Sequence, residues 1–409
     1  NVVGFWAIGD QHIKYTTQEV RLNYAGDKLN STFGAFYSNY KAPVSKIDIG
    51  FVFPGTIFPA LTYQTDDNDQ WSVFTHNSYK FNKDWELVFG ARYTDESGEG
   101  YRELAYGQGA YSGLPLDTST FNLLKSDVNA WGGTLKLLRN LNDSVSVYAG
   151  IDRGFRLGGV NTLGASNYDT EIAYNYEAGI KGLFFGKTLR LEASVYNTDY
   201  NGYQAVLYDS ASFTFTTQNA DVTVRGVEVS ADWAPISALL IDGSIAYNDA
   251  KYDNYFGASC DNYQNANGLC PNNPVPGAQD LSGERLPQSP KWSGNLNVEY
   301  GLPIASTGME WFVRGEMVYR DSAFAHAVGV NGDPLQKMPS YTLFNASLGL
   351  VNPDQGWRAR AWVKNLTDED YLTQVIRQPA GSDPNYVVGR VGMERSEEHT
   401  SELQSRYVI

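Results

Sequence analysis

Sixteen strand-like segments run through this chain, and the links between them alternate in length. The segments are 2–9, 16–24, 31–40, 70–81, 84–95, 127–139, 143–153, 171–184, 188–201, 222–234, 238–251, 287–301, 309–321, 340–350, 357–366 and 386–393. From the second segment on, short links (AGDKLN, NK, NLND, FGK, API, PIASTG, NPDQG) alternate with long ones at 41–69, 96–126, 154–170, 202–221, 252–286, 322–339 and 367–385. Successive antiparallel strands send alternate connections to opposite ends of a sheet. Every tight turn therefore falls at one end and every long loop at the other. A soluble sandwich has no reason to keep that asymmetry over so many strands. A membrane barrel does, with short periplasmic turns and long outer loops.

The strands themselves carry two faces. Trp85, Leu87, Phe89, Ala91 and Tyr93 alternate with residues that include Glu86, Gly90 and Arg92. Val227, Val229, Ala231 and Trp233 alternate with Glu228, Ser230 and Asp232, and Trp357, Ala359, Ala361 and Val363 with Arg358, Arg360 and Lys364. Period-two alternation gives a ribbon one greasy side and one wet side. Most segments span about nine to fifteen residues, against the five or six usual in globular strands. Aromatics gather at strand ends, as an interfacial girdle requires. The expectation is an all-β chain folding as a transmembrane antiparallel up-and-down β-barrel, with Trp85, Leu87, Phe89 and Tyr93 towards hydrocarbon and Glu86 and Arg92 towards a wet lumen. In lipid such a sheet has to close, because unpaired edge groups cost several kcal/mol each. The competing reading is a soluble antiparallel protein with one face on a core.

Composition suits strands and turns: glycine (40), tyrosine (28) and tryptophan (9) are plentiful, and hydrophobic residues make up 42%. No apolar run is long enough for a transmembrane helix. The formal charge of −15 argues against a nucleic-acid partner. The opening NVVGFWAIG begins in mid-pattern with neither initiator Met nor signal peptide, so a fragment is expected. Cys260 and Cys270 lie in one polar Asn/Gly/Pro-rich loop. They read as a disulfide stapling that loop in an oxidising compartment, or as two free thiols.

Enzyme chemistry finds little footing. His12, His76, His326 and His399 are scattered, without metal-ligand spacing. RGFRLGGVN, 153–161, matches neither the dinucleotide nor the phosphate-loop pattern, and its glycines suit a strand bending at a rim. TDDND, 65–69, lacks the spacing and glycine of a calcium loop. There is no nucleophile elbow or triad, although a glycosidase-like carboxylate pair stays open. No catalytic residue, cofactor or resident metal is expected.

Seven segments occur in an order that resembles a known family: YTTQEVRL (15–22), WELVFGARYTDES (85–97), DRGFRLGGVN (152–161), YNYEAGIKG (174–182), VRGVEVSADW (224–233), LPQSPKWSGNL (286–296) and VKNLTDEDY (363–371). Together they resemble the barrel domain of TonB-dependent outer-membrane receptors, from about residue 14 to 393. The resemblance implies a plugged barrel of about 22 strands in the outer membrane of a Gram-negative bacterium. It also implies energised import of a scarce, bulky nutrient through a periplasm-spanning inner-membrane complex. On that pattern the plug, its energy-coupling segment and some six opening strands are expected to be missing from this chain. Residues 1–394 read as a partial barrel domain. RSEEHTSELQS, Arg395 to Ser405, resembles one reading frame of a short-read sequencing adapter, so residues 395–409 are expected to be a non-native tail.

Within that frame the expected cargo is a ferric siderophore, with an oligosaccharide or another chelate as a variant, and a passive porin as the competing transport mode. Arg92, Arg153, Arg156 and Arg320 are candidate rim cations for an anionic chelate, or else lumen partners of nearby carboxylates. Asn161, Tyr203 and His326 complete the candidate ligand-binding set. Expected partners are outer-membrane lipid, the TonB energy-coupling complex through the missing plug, and the small-molecule ligand. An isolated barrel lacking strands is expected neither to insert stably nor to transport.

Overall fold

A computed structural model describes residues 4–53, 56–106, 117–161, 167–209, 214–329, 331–377, 387–392 and 397–398. Strands β1 (Gly4–Ala25), β2 (Leu29–Phe53), β3 (Thr56–Lys80), β4 (Trp85–Tyr106), β5 (Asp117–Asn142), β6 (Val145–Arg156), β7 (Glu171–Phe184), β8 (Leu189–Asp209), β9 (Thr214–Ile236) and β10 (Leu239–Asn254) follow as antiparallel neighbours. The next connection holds β11 (Phe256–Ser259), helix α1 (Asn262–Ala266) and β12 (Ala278–Asp280) before β13 (Trp292–Ile304) and β14 (Met309–Arg320) resume the ladder. A further pair, β15 (Ala323–Phe324) with β16 (Lys337–Met338), precedes β17 (Tyr341–Asn352) and β18 (Trp357–Val363). Beyond these, β19 (Leu372–Arg377) pairs with β20 (Val387–Gly392), and β21 (Glu397–Glu398) lies beside β18. Among the described residues the main sheet has 15 strands in up-and-down order, β1 through β10, then β13, β14, β17, β18 and β21.

Two strand assignments change. Segments 2–9 and 16–24 belong to one strand, because Asp10, Gln11 and His12 stay paired to Lys46, Ser45 and Val44 through the polar interruption. Segment 386–393 supplies β20, which pairs with β19 outside the main sheet. The long links at 41–69, 96–126 and 202–221 are in large part ladder too: Lys41↔Asp67 continues to Phe53↔Thr56, and Tyr203↔Ala220 to Asp209↔Thr214. In β2–β3 the polar run at 65–69 interrupts the apolar alternation, but backbone hydrogen bonding needs no apolar side chains to continue through it. The expected tail lies outside the described residues, apart from Glu397–Glu398.

Seven tight turns fall at one end of the main sheet, between Ala25 and Leu29 at the first and Asn352 and Trp357 at the last. The turn after β7 takes three consecutive left-handed residues, Phe185 (φ 49), Gly186 (φ 67) and Lys187 (φ 73).

Register fixes the two faces, since directly paired residues share one. On one face Tyr93 pairs with Val73 and Trp131, and Leu348 with Val313 and Ala361. The large side chains of this face stand open: Leu348 is 60% exposed, Trp131 55% and Leu135 50%. Leu87, Phe89, Val229 and Ala361 all lie on it. Its aromatics recur at a fixed interval of eight residues: Tyr79 and Trp71 on β3, Trp85 and Tyr93 on β4, Tyr300 and Trp292 on β13, Trp311 and Tyr319 on β14. Eight residues of strand cover about 27 Å, which a tilt of about 40° reduces to about 21 Å, close to the ~25 Å apolar band of an outer-membrane barrel. Two girdles therefore bound an apolar belt, one at the turn end and one at the loop end.

The opposite face is polar and cross-linked. Arg314 reaches Glu316 (2.9 Å), Glu299 (3.6 Å) and Asp242 (3.6 Å), and Lys136 reaches Asp152 (3.0 Å). These groups are partly solvated, so each pair contributes no more than about 1 kcal/mol. The buried apolar clusters sit towards the loop end: Val222, Tyr252, Tyr255, Ala258 and Leu281 with small neighbours, and Ala323, Ala325, Met338 and Val375.

Candidate functional site

The polar face of β3 to β6 frames a cleft of about 780 Å³, whose lining includes Gln70, His76, Arg92, Glu96, Thr134 and Tyr168. Arg92 is its organised cation. Its guanidinium donates to Ser72 Oγ (2.7 Å) and Thr94 Oγ1 (3.1 Å), two hydroxyls that are 1% and 2% exposed. It also lies over the rings of Phe36 (5.7 Å) and Phe74 (5.8 Å). Gly34 makes this possible, because a Cβ there would fall 2.2 Å from the Phe74 ring. The result is a cation held by hydroxyls and aromatic faces, with no carboxylate in ion-pair contact among the described residues. Gln70 Nε2 donates to Glu96 Oε2 (2.8 Å) on the same wall.

The other candidate residues scatter around the mouth. Arg153 contributes to the cleft wall, yet its guanidinium is on the apolar face: it stacks on Trp131 (4.1 Å), donates to the Trp131 carbonyl, and Nε donates to Tyr174 Oη (3.1 Å). Strand phase explains this, since Asp152 beside it turns to Lys136 on the polar side. Arg156 ends β6 opposite Glu171, exposed, and its carbonyl accepts from Gln204 Nε2 (3.2 Å). Asn161 is a clamp: Nδ2 donates to the Thr217 carbonyl and Oδ1 accepts from the Thr217 amide, both at 2.7 Å. Tyr203 packs edge-on against Tyr200 (5.8 Å) and Tyr252 (6.4 Å). At the end of β14 Arg320 donates to the Gln288 carbonyl (3.4 Å), and after β15 His326 Nε2 lies 3.2 Å from the Val375 carbonyl.

The connection between β10 and β13 is a small folded unit. Cys260 and Cys270 form a disulfide with Cα atoms 5.8 Å apart. Asp261 caps α1, accepting from the Gln264 amide (2.8 Å), and its other oxygen accepts from the Asp333 amide (3.0 Å) in the β14–β17 connection. Two long loops are thereby tied. Burial pushes the Tyr255 phenol up, with Tyr252 and Tyr203 adding to it. Hydrogen bonds from the Ser282 side chain and amide hold Asp280 below its ordinary value.

The structure thus brings Arg92 together with His76, Glu96, Gln70 and the aromatic pair Phe36 and Phe74, none of which besides Arg92 was expected at the site. The phase of β3 was the available signal, since Phe74 faces Arg92 directly in register. Arg320 and His326 belong to a separate wall. Among the described residues, no group of three or more His, Cys, Asp or Glu could hold a metal ion.

Comparison with known proteins agrees with this architecture. The chain is similar in fold to the ferric yersiniabactin uptake receptor FyuA from Yersinia pestis, with a TM-score of 0.72 and 17% identity over 96% of this chain and 54% of that one. It is also similar to the ferric-catecholate import receptor Fiu from K12 E. coli, with a TM-score of 0.61 and 16% identity over 90% and 52%. The copper transporter OprC gives a TM-score of 0.57 and 12% identity over 96% and 65%. This chain thus spans about half the length of FyuA and Fiu. The family model described as TonB dependent receptor-like, beta-barrel matches residues 4–366. With that match, the two-faced ladder and the paired girdles, the chain belongs to the TonB-dependent receptor β-barrel family.

Proposed function

We propose that this barrel serves active, TonB-coupled uptake of a bulky scarce solute across the outer membrane, and that the solute is a ferric siderophore. The observation that carries the cargo is the polar-face cleft with Arg92 seated on Phe36 and Phe74. Its volume of about 780 Å³ lies in the range that encloses small molecules. An anionic chelate with flat aromatic groups matches a cation flanked by ring faces. The names of FyuA and Fiu, both ferric uptake receptors, support the same reading. Coupling runs through a plug domain upstream of this chain, with residues 1–394 as barrel and 395–409 as a non-native tail.

Uptake of radiolabelled ferric siderophores by cells producing the full-length receptor tests this. The expected result is saturable uptake, abolished by a proton uncoupler, from a gene induced by iron starvation. Uptake that neither saturates nor responds to the uncoupler would make this a porin. Expression indifferent to iron, with energised uptake of an oligosaccharide, would refute the iron cargo alone.

A further inference from the structure

One wall of the Arg92 cleft comes from the β6–β7 connection rather than from a barrel strand. Leu157, Gly158 and Tyr168 line it there. The backbones of Gly159 and Tyr168 exchange hydrogen bonds, both at 3.0 Å, and the Tyr168 ring lies over Gly159, where a Cβ would collide with it. The Gly158 amide donates to Thr170 Oγ1 (3.1 Å). With Phe74 and Phe155, Tyr168 sets aromatic rings around the cleft that holds the Arg92 guanidinium. A glycine pair and a short bridge do not by themselves fix such a wall, because glycine backbone has the most freedom to lose.

The fixing groups come from two other strands. Gln204 on β8 is 5% exposed, and its Nε2 donates to the Leu157 carbonyl (2.9 Å) and to those of Arg156 and Asp169 (both 3.2 Å). Asn219 on β9 is its direct partner in register. Asn219 Oδ1 accepts from the Asp169 amide (2.7 Å), and Nδ2 donates to the Asp169 carbonyl (3.1 Å). Gly202 (φ 68) interrupts the β8 ladder beside them, and its carbonyl accepts from the same Nδ2 (2.6 Å). The two amides therefore grip the wall at Leu157 and again at Asp169, next to Tyr168. Neither lines the cleft. A buried amide whose N–H groups are satisfied by this backbone holds it in one place, since leaving either side unpaired is costly.

We propose that Tyr168 is a specificity-determining contact for the cargo and that Gln204 is the residue that positions it. On the iron cargo proposed above, on which this rests, the favoured chelate has aromatic ligand groups, stacked on Tyr168 while Arg92 takes their charge.

The test titrates the full-length receptor with two probes, the ferric complexes of 2,3-dihydroxybenzoate and of citrate. Wild-type receptor is expected to bind the aromatic complex more tightly. Tyr168→Ala is expected to weaken that binding about fivefold, the scale of one aromatic pair, and Tyr168→Phe to restore it. Gln204→Leu, which keeps the bulk and removes the donors, should match Tyr168→Ala. The double variant should bind no more weakly than Tyr168→Ala alone, because the two residues act as one. Heat-modifiable migration on gels establishes that each variant is a folded barrel. If Gln204→Leu fails that check, the isosteric Gln204→Glu, whose carboxylate cannot donate, takes its place. Unchanged binding in Tyr168→Ala, or losses that multiply in the double variant, overturns the proposal. So does tighter binding of the citrate complex by the wild type, which leaves the iron cargo standing. A wild-type receptor that binds neither probe refutes the iron cargo itself, and the proposal falls with it.

Discussion

Arg92 shows how a single side chain becomes a candidate binding group. Its buried hydroxyl partners and ring neighbours fix its direction, so little ordering remains when an anion arrives. Arg92→Gln in the full-length receptor is expected to weaken binding of an anionic ferric siderophore by about tenfold or more, the scale of a charge-assisted hydrogen bond. Arg92→Lys should fall between. Titration calorimetry reads this directly, and equal affinities for all three would remove Arg92 from the site. Tyr255 makes a prediction of the opposite kind. Its raised phenol is neutral in both ordered and disordered loop below about pH 10, so pH has no effect on it there. Above that value the disordered loop ionises while the buried phenol resists. Loop order should therefore fall as pH rises through about 10, and Tyr255→Phe should shift the loss upward. Near-UV circular dichroism follows it; identical alkaline transitions in both proteins would contradict the assignment. At this scale the sequence was only partly readable. GARYTDE placed Arg92 on the wet side by phase alone, but Arg153 was grouped with Arg156 by nearness to the rim although three residues along a strand put them on opposite faces. Phe36 and Gln70 come to Arg92's cleft from other strands, and only the ladder's register reveals that.

Among the elements, the loops are stiffer than their length suggests. The β10–β13 connection is closed by Cys260–Cys270, capped by Asp261 and packed under Tyr252, Tyr255 and Leu281. The same Asp261 holds the β14–β17 connection through the Asp333 amide. Removing this one carboxylate should therefore loosen two loops. Asp261→Ala is expected to cost about 1–2 kcal/mol locally and to speed amide exchange in both 261–267 and 332–336, with strand amides unaffected. Faster exchange in the first segment alone would show that the two loops are independent. The disulfide was open to inspection in the sequence as one of two readings, because two cysteines in one polar loop have few other uses. The tie between the loops was not, since a capping carboxylate gives no sign of a second acceptor role across 72 residues of chain. The outward ladders of β2–β3 and β8–β9 were hidden for a different reason. For β2–β3 the polar run TDDND, 65–69, interrupts the alternation before the apolar stretch at 56–63, so the sequence reads as loop where the ladder continues.

For the molecule as a whole, alternating faces and long strands sufficed to place the chain among membrane barrels, whereas the expected one-sidedness of the tight turns held only in part, since Phe53 pairs with Thr56 and Asp209 with Thr214 at the other end. These features depend on backbone period and on solvent, which a sequence records directly. Register, shear and the position of each aromatic in a girdle depend on pairing, which it does not. The sheet's exposed apolar face is the consequence that matters most. Side chains such as Leu135, Val195 and Ile245 stand 50%, 52% and 52% open, and at about 25 cal/mol per Å² a whole belt of them in water would be untenable. Hydrocarbon has to solvate that belt, with water on the side of Arg92 and Arg314. Spin labels at the adjacent residues Thr134 and Leu135, in the full-length receptor reconstituted in lipid nanodiscs, measure this most directly. The label at Leu135 should collide more with oxygen than with a water-soluble nickel chelate, and the label at Thr134 should show the reverse. Equal accessibility at the two positions, or a label at Leu135 shielded from both, would contradict a barrel with lipid outside and water within.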